Sequence, residues 1–333
     1  MKIGIIGYGY WGPNIARNFA SIPDIKLTDL CDMNPDSLAK AVKSYPNIRT
    51  TSDYRLMTSS KEIDAIAIIT PVFTHYEIAK EALLNGKHIF IEKPFTSSVA
   101  QAEELIELAE KKNLQIMVDH TFLFTGAVKK IKSLIDNNEL GNLYYYDSTR
   151  VNLGLFQHDV NVIWDLAPHD FSIMDYLLKE RPAALFAHGK GHFDRGLEDI
   201  AYVTMYFDNN MIAHFSNNWM SPVKIRNTYI GGDKKMLIWN DLEPDEKIKI
   251  YDKGVDVKTK EGIYNLLISY RSGDIQSPKV ETSEALKLEA QYFVDCIKNN
   301  AKPFNDGLSG LRVVKMLEAC NISIKNNGKE IKL

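Results

Sequence analysis

Lys93 sits in a setting that a surface lysine does not need. In the stretch HIFIEKPF, residues 88–95, an apolar run meets Glu92-Lys93-Pro94, a charged pair set against a proline. Either Lys93 faces solvent, or it is held at the rim of a reacting centre, where an ammonium steadies developing negative charge. A second group with chemical meaning opens the chain. Residues 7–12, GYGYWG, satisfy G-x-G-x-x-G between a predicted strand and a predicted helix, the context in which this spacing binds a dinucleotide. Gly7 permits the tight turn, Gly9 lets a pyrophosphate approach the backbone, and Gly12 allows close helix–strand packing. Tyr10 and Trp11 belong to the same cofactor-facing loop, and the anion rests on the following helix N-terminus. Asp32 stands 20 residues past Gly12, the spacing of a carboxylate that accepts from adenosine ribose hydroxyls. A 2′-phosphate there meets like charge, and Met33-Asn34-Pro35 offers it no arginine, so the expected cofactor is NAD. The plainer alternatives are a purely structural glycine turn and a turn-forming Asp32.

These residues need elements to hold them. Short apolar runs at 2–6, 25–31, 65–69, 88–91 and 115–118 suit strands covered on both faces. Helical patterns lie between them near 13–21, 35–44, 74–85 and 98–112. The last carries an apolar stripe, with Ser97 or Ser98 as cap and Asn113 closing it. Such alternation predicts a doubly wound parallel α/β domain. Past residue 120 the texture changes to a helix at 126–137, a long strand at 142–152 and a helix at about 168–178. Runs at 183–189, 200–207, 211–219, 225–231, 235–239 and 246–252 read as an antiparallel meander, with one face open to another subunit. Helical patterns at 283–299 and 308–326 follow. A chain of 333 residues exceeds what one core usually serves, so the expected division is residues 1–121, which bind the dinucleotide, and 122–333, an α+β substrate and oligomerisation domain.

A formal net charge of −3 gives no basic surface for nucleic acid or anionic membrane. Three scattered cysteines suit a reducing cytoplasm and form neither a disulfide framework nor a zinc site. No signal peptide or membrane-spanning run is expected, and neither is a metal.

With GYGYWG, Asp32, TPVFTHYEIA (70–79) and EKP (92–94) in that order, the chain resembles the glucose–fructose oxidoreductase / inositol dehydrogenase / rhizopine-catabolism (Gfo/Idh/MocA) family over nearly its whole length. The resemblance implies a Rossmann domain followed by an open, mostly antiparallel sheet through which members form homodimers or homotetramers. It places Lys93 at the reacting sugar hydroxyl, with Glu92 and Pro94 beside the cofactor and the proline often cis. By the same resemblance Thr70 and Pro71 line the nicotinamide ribose, while His75 stays open between a cofactor role and a structural one.

In WDLAPHDFS (164–172) the family pattern D-x-G-x-H-x-x-D is met at Asp165 and His169; Ala167 replaces the glycine, and Ser172 stands where the final aspartate is common. Pro168 suits a first helical position, which would put His169 in the first turn, neutral and able to take a proton. His169 is the candidate general base, and Asp165 either orients it or binds substrate. Arg150 and Asn152 are candidate substrate contacts, with a surface salt bridge as the other reading of Arg150, and His120 falls where the family often has a polar residue near the site. Lys224 and Arg226 are either diphosphate ligands or solvated charges. WDLAPHD, ISYRSGDI (268–275) and DGLSGLRVVKMLEA (306–319) resemble members of nucleotide-sugar and polysaccharide biosynthesis. The implied activity is NAD-dependent oxidation at C3 of a UDP-linked N-acetylated sugar or uronic acid. The alternatives are a free sugar or inositol 2-dehydrogenase, an NADPH-linked 3-ketoreductase, an NAD-retaining glycoside-cleaving relative and a non-catalytic dinucleotide-sensing regulator.

Overall fold

The apolar runs of the first 120 residues become parallel strands. In the computed structural model, which describes all residues except 155, 158, 194–195 and 258–267, these are β1 (Lys2–Ile6), β2 (Lys26–Cys31), β3 (Arg49–Thr51), β4 (Ala65–Ile68), β5 (His88–Glu92) and β6 (Ile116–Asp119). Their order is β3-β2-β1-β4-β5-β6, every neighbouring pair parallel. β4 and β6 are buried at every position, as strands covered on both faces must be. β3, with the polar sequence RTT, escapes the apolar pattern because it is a short, mostly exposed edge. The order reverses between β1 and β4, so the loops after those two strands flank the crevice where such sheets bind ligands.

Helices α1 (Gly12–Ala20), α2 (Pro35–Ser44), α3 (Arg55–Thr58), α4 (Val72–Leu84) and α5 (Val99–Lys112) connect the strands. The start of α5 follows from its cap: Ser98 Oγ accepts from the Gln101 N–H at 3.3 Å. Its end follows from Asn113, whose φ of 54° is left-handed.

Contacts group the chain into two compact units, Met1–Phe124 with Ser283–Lys315, and Thr125–Thr282 with Met316–Leu333. The first unit is therefore discontinuous, where the sequence pattern places a single division at 121/122. The reason is the exposed edge at β6. The returning chain pairs with it, Val118 N–H donating to the Asn305 carbonyl at 2.9 Å, and covers backbone that would otherwise be open. Helix α8 (Ala285–Lys298) then sets Phe293 against Phe19 and Phe90, ring centroids 6.1 and 5.7 Å apart. Helix α9 (Gly307–Lys325) begins in the first unit and ends in the second.

The second unit contains α6 (Gly126–Asp136), α7 (Val162–Leu177) and a nine-stranded sheet: β7 (Leu143–Leu153), β8 (Ala184–Lys190), β9 (Ile200–Tyr206), β10 (Ile212–Asn218), β11 (Met220–Gly232), β12 (Met236–Asn240), β13 (Ile248–Val257), β14 (Ile268–Gln276) and β15 (Ile331–Lys332), in the order β14-β13-β12-β11-β7-β10-β9-β8-β15. The sheet is mostly antiparallel, as expected, with one parallel pair, β7 and β10. From β7 the chain crosses through α7 to β8, and the antiparallel meander β8-β9-β10 brings it back alongside β7 in the parallel sense. α7 also starts earlier than its proline suggests. The Asn161 side chain accepts from the Trp164 N–H at 3.1 Å and caps the helix there, leaving Pro168 inside it. Among the described residues, no helix is long and apolar enough to cross a membrane.

Candidate active site

The glycine loop has the geometry its spacing predicts. Gly7 has φ +97°, and a Cβ there would strike the Ile69 carbonyl; a Cβ on Gly12 would lie 2.6 Å from the Gly7 oxygen. The Cβ direction of Gly9, by contrast, is open, which leaves backbone approachable by an anion. Tyr10 and Trp11 project outward from this loop, 82% and 49% exposed. A cleft of about 730 Å³ opens here, with Gly9, Asp32, Thr70 and Pro71 in its lining. Asp32 is held from both sides: Oδ2 accepts from the Tyr8 N–H at 2.6 Å and Oδ1 from the Asn34 N–H at 2.8 Å. Its remaining lone pairs can accept from ribose hydroxyls, so the residues present fit a dinucleotide.

Ser52, Asp53 and Arg55 line the same cleft. They follow the polar edge strand β3, so no apolar pattern announces them. Met33-Asn34-Pro35 offers no arginine, but Arg55, further along the chain, lines the cleft. It lies over the Tyr54 ring at 4.7 Å and pairs with Asp53 and Glu81, each at 3.8 Å.

The second half of the first unit's site is the turn after β5. The Lys93–Pro94 peptide is cis. His75 ties this turn to the one after β4, its Nδ1 lying 2.9 Å from the Pro94 carbonyl and its Nε2 2.8 Å from the Thr70 carbonyl. The ring is fully buried, and burial lowers its pKa. A neutral imidazole has one N–H, so His75 donates to one of these carbonyls and packs against the other, bracing the turns at Thr70 and Pro94. Glu92 is buried at the strand end, and Lys93 beside it is half-buried.

His120 is buried with neither ring nitrogen hydrogen-bonded to any described residue. Burial, with the nearby charges of Lys93 and Arg312, pushes its pKa down to about 3. A neutral imidazole, able to donate and to accept, therefore lies within electrostatic reach of the lysine. Asp119 and Glu289 complete this neighbourhood. Glu289 comes from a helix some 170 residues later in sequence than Asp119, so no local spacing reveals it.

In the second unit, Asp165 and His169 lie four residues apart on α7 and share a face. Asp165 accepts from Trp219 Nε1 at 3.0 Å. Because α7 starts at Val162, His169 lies past the first turn, and neutrality by a helix N-terminus does not apply to it. Ser172, in the position where an aspartate is common, donates its hydroxyl to the His169 carbonyl at 2.9 Å. Arg150 is buried, not at the surface. Its Nε and Nη2 donate to Asp170 at 3.0 and 2.9 Å, and Asn217 donates to the same carboxylate at 3.4 Å. That engagement turns the guanidinium toward Asp170 and away from a clamp role. Asn152, two residues along β7, is half-buried on the same face. Lys224 is exposed and Arg226 pairs with Asp241 at 3.2 Å, so the two form no joint diphosphate site.

Two family models match: the oxidoreductase family with an NAD-binding Rossmann fold (GFO_IDH_MocA) over residues 1–120, and the GFO/IDH/MocA C-terminal domain over residues 128–238. An uncharacterized oxidoreductase of Bacillus subtilis, YrbE, is 28% identical over 65% of this chain; the match spans 66% of its own length, just under two thirds. UDP-N-acetylglucosamine 3-dehydrogenase of Acidithiobacillus ferrooxidans is 26% identical over 94% of both chains. The scyllo-inositol 2-dehydrogenase (NAD(+)) of Bacillus subtilis is 25% identical over 91% of this chain and 88% of its own. In fold, a solved structure of the Acidithiobacillus ferrooxidans enzyme GnnA superposes with a TM-score of 0.80 at 23% identity, covering 98% of each chain.

Proposed function

This chain belongs to the GFO/IDH/MocA oxidoreductase family, and on that premise we propose that it is an NAD-dependent dehydrogenase that oxidises C3 of a UDP-linked N-acetylated sugar or uronic acid. One observation carries the reading: in a single unit, a lysine and a neutral buried histidine accompany a cleft suited to a dinucleotide. The Gly9 backbone, Asp32, Thr70 and Pro71 hold the cofactor, which supplies the hydride acceptor. Lys93 steadies the oxygen as it becomes an alkoxide. His120, neutral, hydrogen-bonds the same substrate without adding charge. His169 takes the hydroxyl proton, a role that rests on the family pattern, with Asp165 on its face of α7.

The preference for NAD is supported by two carboxylates, Asp32 and Asp53, in the cleft lining. Arg55 is already paired with Asp53 and Glu81, which offsets its attraction for a 2′-phosphate. The substrate is supported by the relative that matches 94% of the chain. The inositol dehydrogenase, matched nearly as fully, supports a second reading, oxidation of a free cyclitol. The open face of the nine-stranded sheet, with Tyr202, Tyr206 and Tyr229 outward, is the surface proposed for a homodimer or homotetramer.

The test is NADH absorbance with enzyme and NAD at comparable concentration and alkaline pH. UDP-N-acetylglucosamine, its uronic acid, myo-inositol and glucose are added one at a time. NADH from the UDP-sugars alone supports the proposal. NADH from myo-inositol or glucose alone replaces it with the second reading, and NAD binding with no NADH from any of them overturns both.

A further inference from the structure

The neighbourhood of Lys93 holds two carboxyls that the proposed reaction does not use. Asp119 ends β6 and pairs in register with Glu92 of β5. Glu289 reaches the same place from α8, and both carboxyls are buried. Thr121 serves both, giving Asp119 a backbone as well as a side-chain hydrogen bond and also reaching Glu289 with its side chain. Thr121 Oγ1 donates to Asp119 Oδ1, and Asn305 Nδ2 donates to Glu289 Oε1 at 3.1 Å while also bonding the Val118 carbonyl at 2.8 Å. Glu289 Oε2 has no protein donor among the described residues, yet the Glu289 carboxyl lies against that of Asp119. Two carboxylates in contact offer each other no hydrogen; a single proton converts the contact into a short, charge-assisted hydrogen bond.

Charge counting points the same way. Lys93 acts on Asp119 and Glu92 on Glu289, while His120, which also feels Lys93, is neutral. A doubly ionised pair would add two buried negative charges beside Glu92. A doubly protonated pair would lose the attraction between Asp119 and Lys93. Burial and the neighbouring carboxyl both raise Glu289, and burial raises Asp119.

We propose that Asp119 and Glu289 share one proton, and that the single negative charge left on the pair positions the Lys93 ammonium. Both are positioning residues, and the inference rests on the role given to Lys93 in the proposed function. Its test needs neither substrate nor cofactor. Infrared spectra of the full-length protein, with the carboxyls of Asp and Glu carrying ¹³C, are recorded at neutral pH. They show a protonated-carboxyl band that disappears in Glu289→Gln and in Asp119→Asn, since each amide leaves its partner ionised.

The second readout is acetylation of Lys93 by acetic anhydride, followed by mass spectrometry. Each single variant keeps one negative charge and holds the rate near that of the wild type. The double variant D119N/E289Q removes it, and the rate rises by about tenfold as the ammonium loses the charge that holds it in place. Absence of the band in the wild type overturns the shared proton. A band with equal acetylation in wild type and double variant overturns the positioning role. If the double variant does not fold, as judged by near-ultraviolet circular dichroism, the rate is compared with E289A instead, which keeps the charge on Asp119 and must stay near wild type. A band with no NADH from any sugar defeats the proposed function and leaves the shared proton standing.

Discussion

Each unit buries ionisable groups, and the two settle them in opposite ways. In the second unit Arg150 and Asp170 are matched partners in a two-pronged contact, with Asn217 completing the carboxylate's shell. Burial opposes the guanidinium's charge, but Asp170 outweighs it and the pKa of Arg150 rises. In the first unit two carboxyls lie together, beside a histidine that has lost its affinity for protons. Opposite charges in contact have no reason to titrate near neutral pH, whereas like charges must adjust. Buried charge is therefore matched at Arg150 and Asp170, and left to adjust its protonation at Asp119 and Glu289.

The largest expected effect breaks the matched pair. Arg150→Met leaves Asp170 buried without its counter-charge and costs about 3–5 kcal/mol, read as a fall in urea midpoint. Adding Asp170→Leu restores much of that loss; a single variant as stable as wild type would show that the pair is not structural. Next comes Lys93→Met, which lowers kcat by roughly 10²–10³-fold and leaves the Kd for NAD unchanged by calorimetry. A matching loss of NAD binding would move Lys93 from the reaction to the cofactor.

His120 sharpens the contrast through pH. The unfolded chain protonates this histidine below its ordinary value of 6.5, while the native ring resists down to about 3. The unfolded state thus binds more protons across that window, and stability falls as pH drops through it. The carboxyl pair has the opposite sign, since its raised values make the native state the better proton binder as pH rises above the ordinary carboxylate range. His120→Gln should remove the histidine's share, so that between pH 7 and 4.5 the variant loses about 2 kcal/mol less than wild type. Urea titrations at the two pH values decide it, and equal losses would mean that the imidazole is not shielded. Asp32→Ala has the smallest effect, a shift of about tenfold, roughly 1.4 kcal/mol, in the NAD-to-NADP ratio of dissociation constants. An unchanged ratio would place Asp32 away from the ribose.

Much of the first unit was legible in sequence. Near-continuous apolar runs announce buried parallel strands, and Ser98 and Asn113 mark the ends of α5 by the chemistry of their side chains. The glycine loop was legible because its spacing is a steric requirement. What escaped has a common cause. β3 is three polar residues at an edge, and it carries Asp53 and Arg55 into the cleft unannounced. Pro168 suggested a helix start because proline favours that position, but Asn161 offers a stronger cap and claims the boundary. Arg150 looked the same from sequence whether exposed or buried, since its partner Asp170 is supplied by packing of α7 on the sheet. Glu289 and Asn305 lay furthest out of reach, because their meaning depends on where the chain goes when it returns.

That return has a consequence for the order of events on the ribosome. The parallel sheet is fully synthesised by residue 119, yet it lacks the Phe293 ring for its core and the Asn305 backbone for its last edge. A nascent chain holds an unfinished nucleotide-binding unit, with β6 exposed, while the whole of the second sheet except β15 is being made. A message truncated after β14 would encode every strand of the first unit and still fail to give a closed one.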